Sequence, residues 1–440
     1  MNFQKLKALC NQKGVNEIEV YYVKEEASAI QTFNSTIDQN VISSVSKILV
    51  RGVYNNHIAS LNVENDTDEE LEFIVDKLIE NASVIESNDP YFIYGGSDSY
   101  PKIEEEETDF DSYTQADKIE LCRKMESFCK EKCEYVVTTQ AFIESEVVTV
   151  TIENSKGLNI SRISKDAAVG CLAVIKKDND VKQGYYMDHV TKLANINYDK
   201  LYKKAIERPL TSIGAKSIPS GSYPVVFENI TACSLISCFT SMFCGDVVVK
   251  KLSLLENKLG QKVFGDNITI IDNPLFKDSF SRYTFDDEGV ATKEKTIVEN
   301  GVLKSYLTDL KSAKMLNTEP TGNGFKNTSG GISVSPCNFY LKNDDISFNE
   351  MISDIENGVF ITSLMGQHAG VNTVSGAFNL QAAGYKIENG KITKPVTLII
   401  VSGNIIDLLN NVSKIANDFE IASKVGTGSI LVSSLSVSGQ

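Results

Sequence analysis

A junction of small residues near the middle of the chain is the feature that most limits how it can fold. The segment from Pro209 to Gly221 contains two prolines and two glycines among mostly small side chains. Such a composition is typical of linkers between domains. At 440 residues, the chain is also longer than most single domains. We therefore predict two domains, residues 1–214 and residues 215–440.

The first half mixes predicted helices with an antiparallel sheet. Apolar residues at three-and-four spacing predict a helix after a possible capping box formed by Thr67 and Glu70. Other helices are predicted over residues 3–12, 114–131 and 198–208. Extended runs cover residues 17–24, 28–33 and 41–54, and long strands separated by turn residues fill 134–191.

The second half is richer in glycine and in short strands. Two segments contain the same turn, Asn300-Gly301 and Asn389-Gly390. Asn-Gly predicts a β-hairpin because both central positions of a type I′ turn need positive φ. A final alternating strand is predicted over residues 430–437. The fold class is therefore predicted to be α+β, with a helix-and-antiparallel-sheet domain followed by a β-rich domain.

Composition and charge exclude several classes of function. The chain is 42% apolar and 23% charged, as expected of an ordinary globular protein. Its formal charge of -15 opposes nucleic-acid phosphates, so we expect no direct binding to nucleic acid. No apolar run is long enough to span a membrane, and the polar start of the chain does not have the pattern of a secretory signal. We expect a cytoplasmic protein that does not bind membranes.

Cysteine and histidine are too dispersed to form an obvious metal site. Nine cysteines, an odd number, favour reduced thiols over a disulfide scaffold. The three histidines, His57, His189 and His368, are each more than 100 residues from the next. No pair of them therefore has the helical spacing that zinc sites use. His368 lies in a glycine-flanked loop, a setting that often carries function.

Two further segments could bind a ligand. Asp286, Asp287 and Glu288 form a carboxylate cluster that could exchange protons or bind a hard cation. The alternative, which we favour, is a turn that ends at Gly289. The segment 321–325, which contains Asn323 and Gly324, could hold an anion on backbone N–H groups, although it does not have the lysine of a P-loop.

Two other groups are given a simpler interpretation. The acidic run over residues 104–107 is interpreted as a solvated loop. Cys122, Cys129 and Cys133 are spaced to share one face of a helix, and we interpret them as core residues rather than as metal ligands.

The region from Phe285 to Phe325 resembles the signature region of the TldD/PmbA family. The similarity extends over most of the chain and is densest from about residue 225 onward. Further landmarks are Gly245-Asp246, the runs 258–260 and 271–274, and Val374-Ser375-Gly376. The resemblance implies the two-domain TldD/PmbA fold and a link to intracellular metal-dependent peptidases.

The same resemblance implies that this chain does not have the catalytic metal site. Catalytic members of the family carry a His-Glu-x-x-x-His helix, and the corresponding positions here are Ile236, Ser237 and Ser241. Isoleucine has no donor atom, and neutral serine hydroxyls are poor zinc ligands. A C-terminal cysteine expected in the metal-binding members is also absent, because no cysteine follows Cys337. The chain thus resembles the PmbA-like, or TldE-like, subunit, and no catalytic or metal-binding residue is assigned to it.

The implied function is that of a non-metal-binding partner in a peptidase complex. Such a chain would assemble with a zinc-bearing TldD-like subunit, or form a homodimer, and would act on unfolded peptides or small proteins. One alternative is a hydrolase that acts alone, using a cysteine with His368 or a cation at the acidic cluster. Another is a regulatory, protein-binding module, in line with the family's label as a modulator of DNA gyrase.

Overall fold

The computed structural model describes residues 1–64, 67–86, 92–104, 107–327 and 330–440. It combines helices with a large share of strand, which confirms the predicted α+β class. Part of the predicted acidic loop, Glu105 and Glu106, lies outside the described residues.

One antiparallel sheet of six strands organises the first half. Its spatial order is β3-β2-β1-β4-β5-β6. The strands are β1 (Glu17–Phe33), β2 (Thr36–Tyr54), β3 (His57–Val63), β4 (Val136–Asn154), β5 (Asn159–Lys177) and β6 (Asp180–His189). Tight turns join β1 to β2, β2 to β3, β4 to β5 and β5 to β6, which explains why neighbours in sequence are mostly neighbours in the sheet.

Helices cover one face of this sheet. They are α1 (Phe3–Gln12), α2 (Leu71–Ser83), α3 (Gln115–Lys132), α4 (Tyr198–Leu201) and α5 (Arg208–Thr211), with a π-helical turn over Tyr202–Glu207 between the last two. The buried face of α3 carries Cys122, Met125 and Cys129, packed on Ile143 and Cys171 of the strands. Cys133 lies just beyond the end of α3 and not on the helix, but it is buried in the same core, so the interpretation of all three cysteines as core residues is confirmed.

Three predictions for the first half need correction. The two runs 17–24 and 28–33 form a single strand, because backbone pairing with β2 continues through the polar residues between them. Thr67 makes no side-chain cap and precedes a short 3₁₀ turn, so the predicted capping box at α2 is wrong. The helix expected to end at Arg208 continues to Thr211, since the π-helical turn accommodates the chain before Pro209.

The largest sheet of the second half closes on itself. Strands β7 (Gly221–Phe227), β14 (Asn357–Met365), β15 (Ala377–Glu388), β16 (Lys391–Asn404) and β20 (Ile430–Ser438) pair around a ring, because β16 bonds to both β15 and β20. Strand β17 (Val412–Ile415) adds to β20. The predicted C-terminal strand and the Asn389-Gly390 hairpin are both confirmed.

A second, six-stranded sheet lies beside this ring, in the order β10-β9-β8-β13-β19-β18. Its strands are β8 (Ile270–Asp272), β9 (Lys295–Glu299), β10 (Val302–Leu303), β13 (Phe339–Leu341), β18 (Glu420–Ala422) and β19 (Val425–Thr427). The hairpin of β11 (Gly324–Lys326) and β12 (Ile332–Val334) is separate. The Asn300-Gly301 turn joins β9 to β10 as predicted.

Short helices fill the space around these sheets. They are α6 (Asn229–Ser237), α7 (Gly245–Val249), α8 (Leu310–Leu316), α9 (Phe348–Ile352), α10 (Gln367–Gly370) and α11 (Ile405–Asn410). Residues of α6, of the closed sheet and of β8, β9 and β13 share one apolar core. Within the described residues, none of the helices combines the length and apolarity that crossing a membrane requires.

One of the contacts between the two halves lies on the sheet face opposite the helices. Tyr21, Leu49, Val150 and Ile152 of the first sheet pack with Phe285 of the second half. No described sheet contains strands from both sides of residue 215, so side chains make this contact. Phe285 and its neighbours therefore lie against the first sheet.

Candidate functional site

The predicted carboxylate cluster begins as a tight turn. Asp286 accepts hydrogen bonds at Oδ1 from the backbone N–H groups of Glu288 and Val290, each at 3.0 Å. Gly289 has φ of +87°, and a Cβ there would lie 2.6 Å from a methyl group of Leu158. Tyr100 of the first half donates a hydrogen bond to the carbonyl of Gly289 at 2.8 Å. This geometry supports the interpretation of the segment as a turn, held against the first sheet.

Asp287 connects this turn to the first sheet through a buried ion pair. Its Oδ1 lies 2.7 Å from Nη2 of Arg162 on β5, and only 8% of the Asp287 side chain and 11% of the Arg162 side chain are exposed. Arg162 also donates to the carbonyl of Phe285 at 2.7 Å, and its guanidinium lies over the Phe285 ring. Oδ2 of Asp287 accepts from the backbone N–H of Lys326 at 2.9 Å.

Lys326 extends the network to β1 and β2. Its Nζ lies 3.7 Å from Oε1 of Glu19 and 3.9 Å from the centre of the Tyr21 ring. Arg51 donates to the same Glu19 oxygen from Nε and Nη2, at 3.0 and 2.7 Å. Lys326 also donates to the carbonyl of Asp287. Buried charges require such partners, because an isolated ion in a protein interior is strongly unfavourable.

The Glu288 carboxylate accepts a hydrogen bond from the N-terminus of a helix. Its Oε2 accepts a hydrogen bond at 2.7 Å from the backbone N–H of Leu310, the first residue of α8. A Cβ on Gly324 would lie 2.7 Å from this oxygen, so a larger residue there would displace the Glu288 carboxylate. The N–H of Gly324 in turn donates to Oδ2 of Asp286 at 2.9 Å. The Gly324 amide expected to hold an anion is therefore already paired within the chain.

Asn323 belongs to an adjoining buried network. Its Nδ2 donates to Oδ2 of Asp272 at 2.9 Å, and its Oδ1 accepts from Nζ of Lys295 at 2.7 Å. Lys295 also pairs with Asp272 at 3.1 Å. Asn323 and Asp272 are fully buried. These contacts connect β8, β9 and the loop before β11.

Burial sets the protonation of the cluster. Desolvation raises the pKa of Asp286 despite its three backbone donors, and it raises the pKa of Glu288 to about 8, with a further contribution from the charge on Asp286. For Asp287, the charges on Arg162 and Lys326 outweigh desolvation and lower the pKa. Lys326 has a lowered pKa, first because of burial and then because of Arg51. Neighbouring carboxylates whose pKa values shift in opposite directions are a common feature of sites that handle protons.

The arrangement holds the two halves together and leaves little room for a ligand. Five of the six candidate binding residues lie in these joined networks, namely Asp286, Asp287, Glu288, Asn323 and Gly324, and all five are buried. Across the described residues, no three His, Cys, Asp or Glu side chains are arranged to hold a metal ion. The sixth candidate, His368, lies apart on α10, where it is exposed.

The three positions that the resemblance matches to the family's metal helix do not share one helix. Helix α6 ends at Ser237, and Ser241 lies in a separate 3₁₀ turn over Thr240–Phe243. Ile236 is only 5% exposed and belongs to the apolar core. Ser237 donates its hydroxyl hydrogen to the carbonyl of Ser234 at 2.8 Å. These side chains therefore do not fit a zinc ion.

The cysteines of the second half are poorly suited to nucleophilic chemistry. Burial raises the pKa of the Cys233 thiol to about 12 and raises that of Cys337 further. Cys238, directly after α6, is partly exposed, but burial raises its pKa as well, and its thiol donates to the carbonyl of Ser234 at 3.3 Å. A catalytic cysteine requires the opposite shift, toward the thiolate.

The basic partners of the cluster were not predicted from the sequence. Arg162, Arg51 and Lys326 occupy strand positions that look like any solvent-facing charge in an alternating pattern. The sequence does show an acidic run and several charged residues on predicted strands. This pattern does not identify which face of which strand contacts the second half, so it cannot pair the charges.

Comparison with known proteins identifies similar families and folds. Residues 220–439 match the model of the PmbA/TldA metallopeptidase C-terminal domain, and residues 108–213 match the model of the PmbA/TldA metallopeptidase central domain. A metalloprotease PmbA homolog from Buchnera aphidicola is 30% identical over 301 residues. The match covers 68% of this chain and 65% of that relative, slightly less than two thirds of its length.

Solved structures extend the similarity over the whole chain. A proposed modulator of a DNA gyrase from Thermotoga maritima superposes with a TM-score of 0.91 at 29% identity and covers 99% of both chains. TldE from Thermococcus kodakarensis superposes with a TM-score of 0.89 over 99% of this chain and 100% of that chain. At 21% identity, the second comparison shows a shared fold.

Proposed function

Because the chain belongs to the PmbA/TldD metallopeptidase family, we propose that it is a non-metal-binding, PmbA/TldE-like subunit of a TldD/TldE-type peptidase complex. Its partner would be a homologous subunit that carries the His-Glu-x-x-x-His helix and the zinc. The assembled complex would cleave unfolded peptides or small proteins in the cytoplasm. This chain would contribute scaffold and enclosure rather than metal ligands.

The observation that carries this proposal is the absence of suitable ligand atoms at the three matched positions in and after α6. Zinc sites of this kind need imidazole ligands and a carboxylate that activates water. Here the first of the three positions, Ile236, lies in the apolar core, and the third, Ser241, lies beyond the end of the helix. Both the donor atoms and the continuous helix that would hold them are therefore missing at this place.

The alternative cysteine hydrolase has less support. It needs an accessible thiolate next to an imidazole, whereas burial raises the pKa of Cys233, Cys238 and Cys337. The alternative cation-dependent hydrolase needs open carboxylate oxygens. Those of Asp286 and Asp287 accept hydrogen bonds from the backbone and from Arg162.

The test compares the purified chain with a mixture of this chain and a homologue that bears His-Glu-x-x-x-His. We expect the chain alone to hold less than one-tenth of a zinc ion per molecule and to show no peptidase activity inhibited by chelators. Activity should appear when the homologue is added. A matched mixture, in which the homologue's metal-site glutamate is replaced by glutamine, should remain inactive. Stoichiometric zinc or chelator-sensitive cleavage by this chain alone would overturn the proposal.

A further inference from the structure

The core of the first half contains two cysteines whose sulfur atoms are in contact. Cys129 lies on α3 and Cys171 lies on β5, and their Sγ atoms are 3.5 Å apart. Both residues are fully buried. Among the nine cysteines, all of which the structure describes, no other two share a hydrogen bond. We call Cys129 and Cys171 the thiol pair.

Only a small movement separates the thiol pair from a covalent bond. The sulfurs of a disulfide are about 2.05 Å apart, so the two Sγ atoms need to approach by roughly 1.5 Å. Rotation about χ1 moves a cysteine sulfur without moving the backbone. Cys129 is also three residues from Lys132, the last residue of α3, and helix ends fray more readily than helix interiors. The movement is therefore of the kind that local motion supplies.

Burial makes any reaction of the thiol pair slow. The hydrogen bond with Cys129, followed by burial, raises the pKa of Cys171. Little of its reactive thiolate is therefore present at neutral pH. Reaction then requires local opening, which costs less free energy than complete unfolding. We expect a small, uncharged oxidant to react over hours and not within minutes.

A buried tyrosine hydroxyl without a partner lies beside the thiol pair. Tyr198, the first residue of α4, packs its ring against Phe128 of α3, with the ring centres 5.1 Å apart. Its Oη atom is buried and has no hydrogen-bond partner in the described part of the chain. Burial, and then the charge on Cys171, raises the pKa of Tyr198, so the two groups are close. The hydroxyl is available to donate to an oxygen atom carried by sulfur.

We propose that the thiol pair is an oxidation site, at which hydrogen peroxide converts the two thiols into a disulfide bond between α3 and β5. One thiolate attacks peroxide: an S–O bond forms, the O–O bond breaks and hydroxide leaves. Tyr198 donates a hydrogen bond to the oxygen of the resulting sulfenic acid. The second thiolate attacks the sulfur of that acid, so that the S–S bond forms, the S–O bond breaks and a second hydroxide leaves. Each sulfur loses one electron, and the two thiol protons convert the hydroxides into water.

The disulfide would hold α3 on the sheet. Glu126, on the same helix, accepts hydrogen bonds at Oε2 from the N–H of Ser35 and the hydroxyl of Thr139, each at 2.6 Å. Ser35 lies in the turn between β1 and β2, so α3 already connects this turn to β4. In reducing compartments, disulfides are usually transient and redox-sensing. A bond that forms only under oxidation fits that role.

Mass spectrometry tests the site directly. The reduced native chain is incubated at about pH 8 with millimolar hydrogen peroxide for up to a day, treated with catalase, alkylated and digested. Peptides linked through Cys129 and Cys171 should be at least ~10-fold more abundant than those of any other cysteine pair, because contact gives the two thiols a high effective concentration. Dithiothreitol should restore both thiols.

Urea unfolding measures the consequence for the fold. Oxidation should raise the midpoint of the unmodified chain by at least ~0.5 M, since a cross-link between residues 42 positions apart restricts the unfolded chain. Cys129→Ser and Cys171→Ser should each remove the disulfide and the shift. Cys122→Ser, at another buried cysteine of α3, is the matched control and should keep both. Circular dichroism checks that the reduced variants are folded.

Tyr198→Phe tests the hydroxyl. It should slow disulfide formation by about 2–10-fold, the usual contribution of one hydrogen bond. Because the hydroxyl has no partner in the reduced chain, its removal should not lower the stability of that chain. Slower oxidation at unchanged stability would therefore report on the reaction and not on packing. An unchanged rate would contradict the role assigned to Tyr198.

Two results would overturn the oxidation site itself. In one, Cys129 and Cys171 remain thiols after a day in peroxide, although the partly exposed Cys238 is oxidised. In the other, the disulfide between them is no more abundant than those of other cysteine pairs, so that the contact gives no preference. Neither result depends on zinc content or peptidase activity, and the proposed function is therefore tested separately.

Discussion

At the scale of single residues, the buried charges between the two halves depend on one another. Asp287 pairs with Arg162, and Lys326 lies between Asp287 and Glu19. Charges at this depth stabilise the fold only as a set, because removal of one leaves its partners desolvated and uncompensated. Replacing one of these charged residues by a neutral residue of the same shape therefore measures how much the set contributes to stability.

We expect Asp287→Asn to lower the free energy of unfolding by about 3 kcal/mol, the usual cost of breaking a buried ion pair. Asparagine keeps the shape and can still accept hydrogen bonds, but it leaves Arg162 without its counter-charge. Urea unfolding followed by fluorescence measures the change. Glu120→Gln, at an exposed ion pair with Arg123, is the matched control and should shift stability by less than about 1 kcal/mol. Similar effects of the two substitutions would show that the buried pair is not important.

Glu288 should make stability depend on pH. Its pKa is raised to about 8 by burial and by Asp286, whereas an unfolded glutamate titrates near 4.5. The folded state therefore holds a proton that the unfolded state releases. This contribution to stability is complete below about pH 4.5 and is lost as the pH rises through about 8, with a slope of at most about 1.4 kcal/mol per pH unit.

Glu288→Gln isolates this effect, because glutamine cannot release the proton and can still accept the hydrogen bond from Leu310. The difference in unfolding free energy between the variant and the unmodified chain should grow in favour of the variant between about pH 5 and pH 8. Denaturant titrations at several pH values measure this difference, and titrating groups that do not interact with Glu288 cancel in it. A difference that stays constant with pH would show that Glu288 is ionised in the folded protein.

At the scale of elements, α6 shows how the positions matched to the family's metal helix are packed. The helix stops at Ser237, and the chain passes through a 3₁₀ turn before α7. Ile236 packs in the core that joins the closed sheet to the second sheet. The space is filled by apolar packing, so it is not a vacant site that needs only its ligands restored.

We therefore expect Ile236→His/Ser237→Glu/Ser241→His to restore the motif without restoring zinc binding. Burying an imidazole in place of Ile236 should lower the free energy of unfolding by about 2–4 kcal/mol. The double variant Ser237→Glu/Ser241→His keeps the core intact and should change stability by less than about 1 kcal/mol. Metal analysis after dialysis, together with urea unfolding, gives both readouts. If the triple variant binds one zinc ion tightly and its stability is unchanged, the inference that apolar packing fills this place is wrong.

Some of these elements could be predicted from the sequence and others could not. The Asn300-Gly301 and Asn389-Gly390 hairpins and the apolar face of α2 were predictable, because local turn geometry and helical spacing determine them. The unbroken strand β1 was not predictable, because its polar middle is held by pairing with β2 and β4 and not by its own composition. The partners of Asp287 were hidden for a similar reason. Which strand face meets Phe285 and Asp287 depends on packing between segments that are distant in the sequence.

At the scale of the whole molecule, the nine cysteines can be used to test whether the chain is packed throughout. Eight of them are buried and Cys238 is half-buried, although they are spread from Cys10 to Cys337. Burial both blocks reagents and disfavours the reactive thiolate, as the raised pKa of Cys10, to about 12, illustrates. Thiol reactivity is thus a simple measure of whether both halves are packed as described.

We expect at most one thiol of the native chain to react with a disulfide reagent within minutes, and all nine to react after unfolding in guanidinium. Cys238→Ser should abolish the fast reaction. Cys122→Ser is the matched control, because it removes a buried thiol: the fast reaction should persist while the total falls to eight. Chromophore release at neutral pH counts the thiols directly. Two or more thiols that react within minutes in the native chain would mean that one half opens in solution. A rapid reaction of Cys233 or Cys337 would favour the cysteine-hydrolase hypothesis.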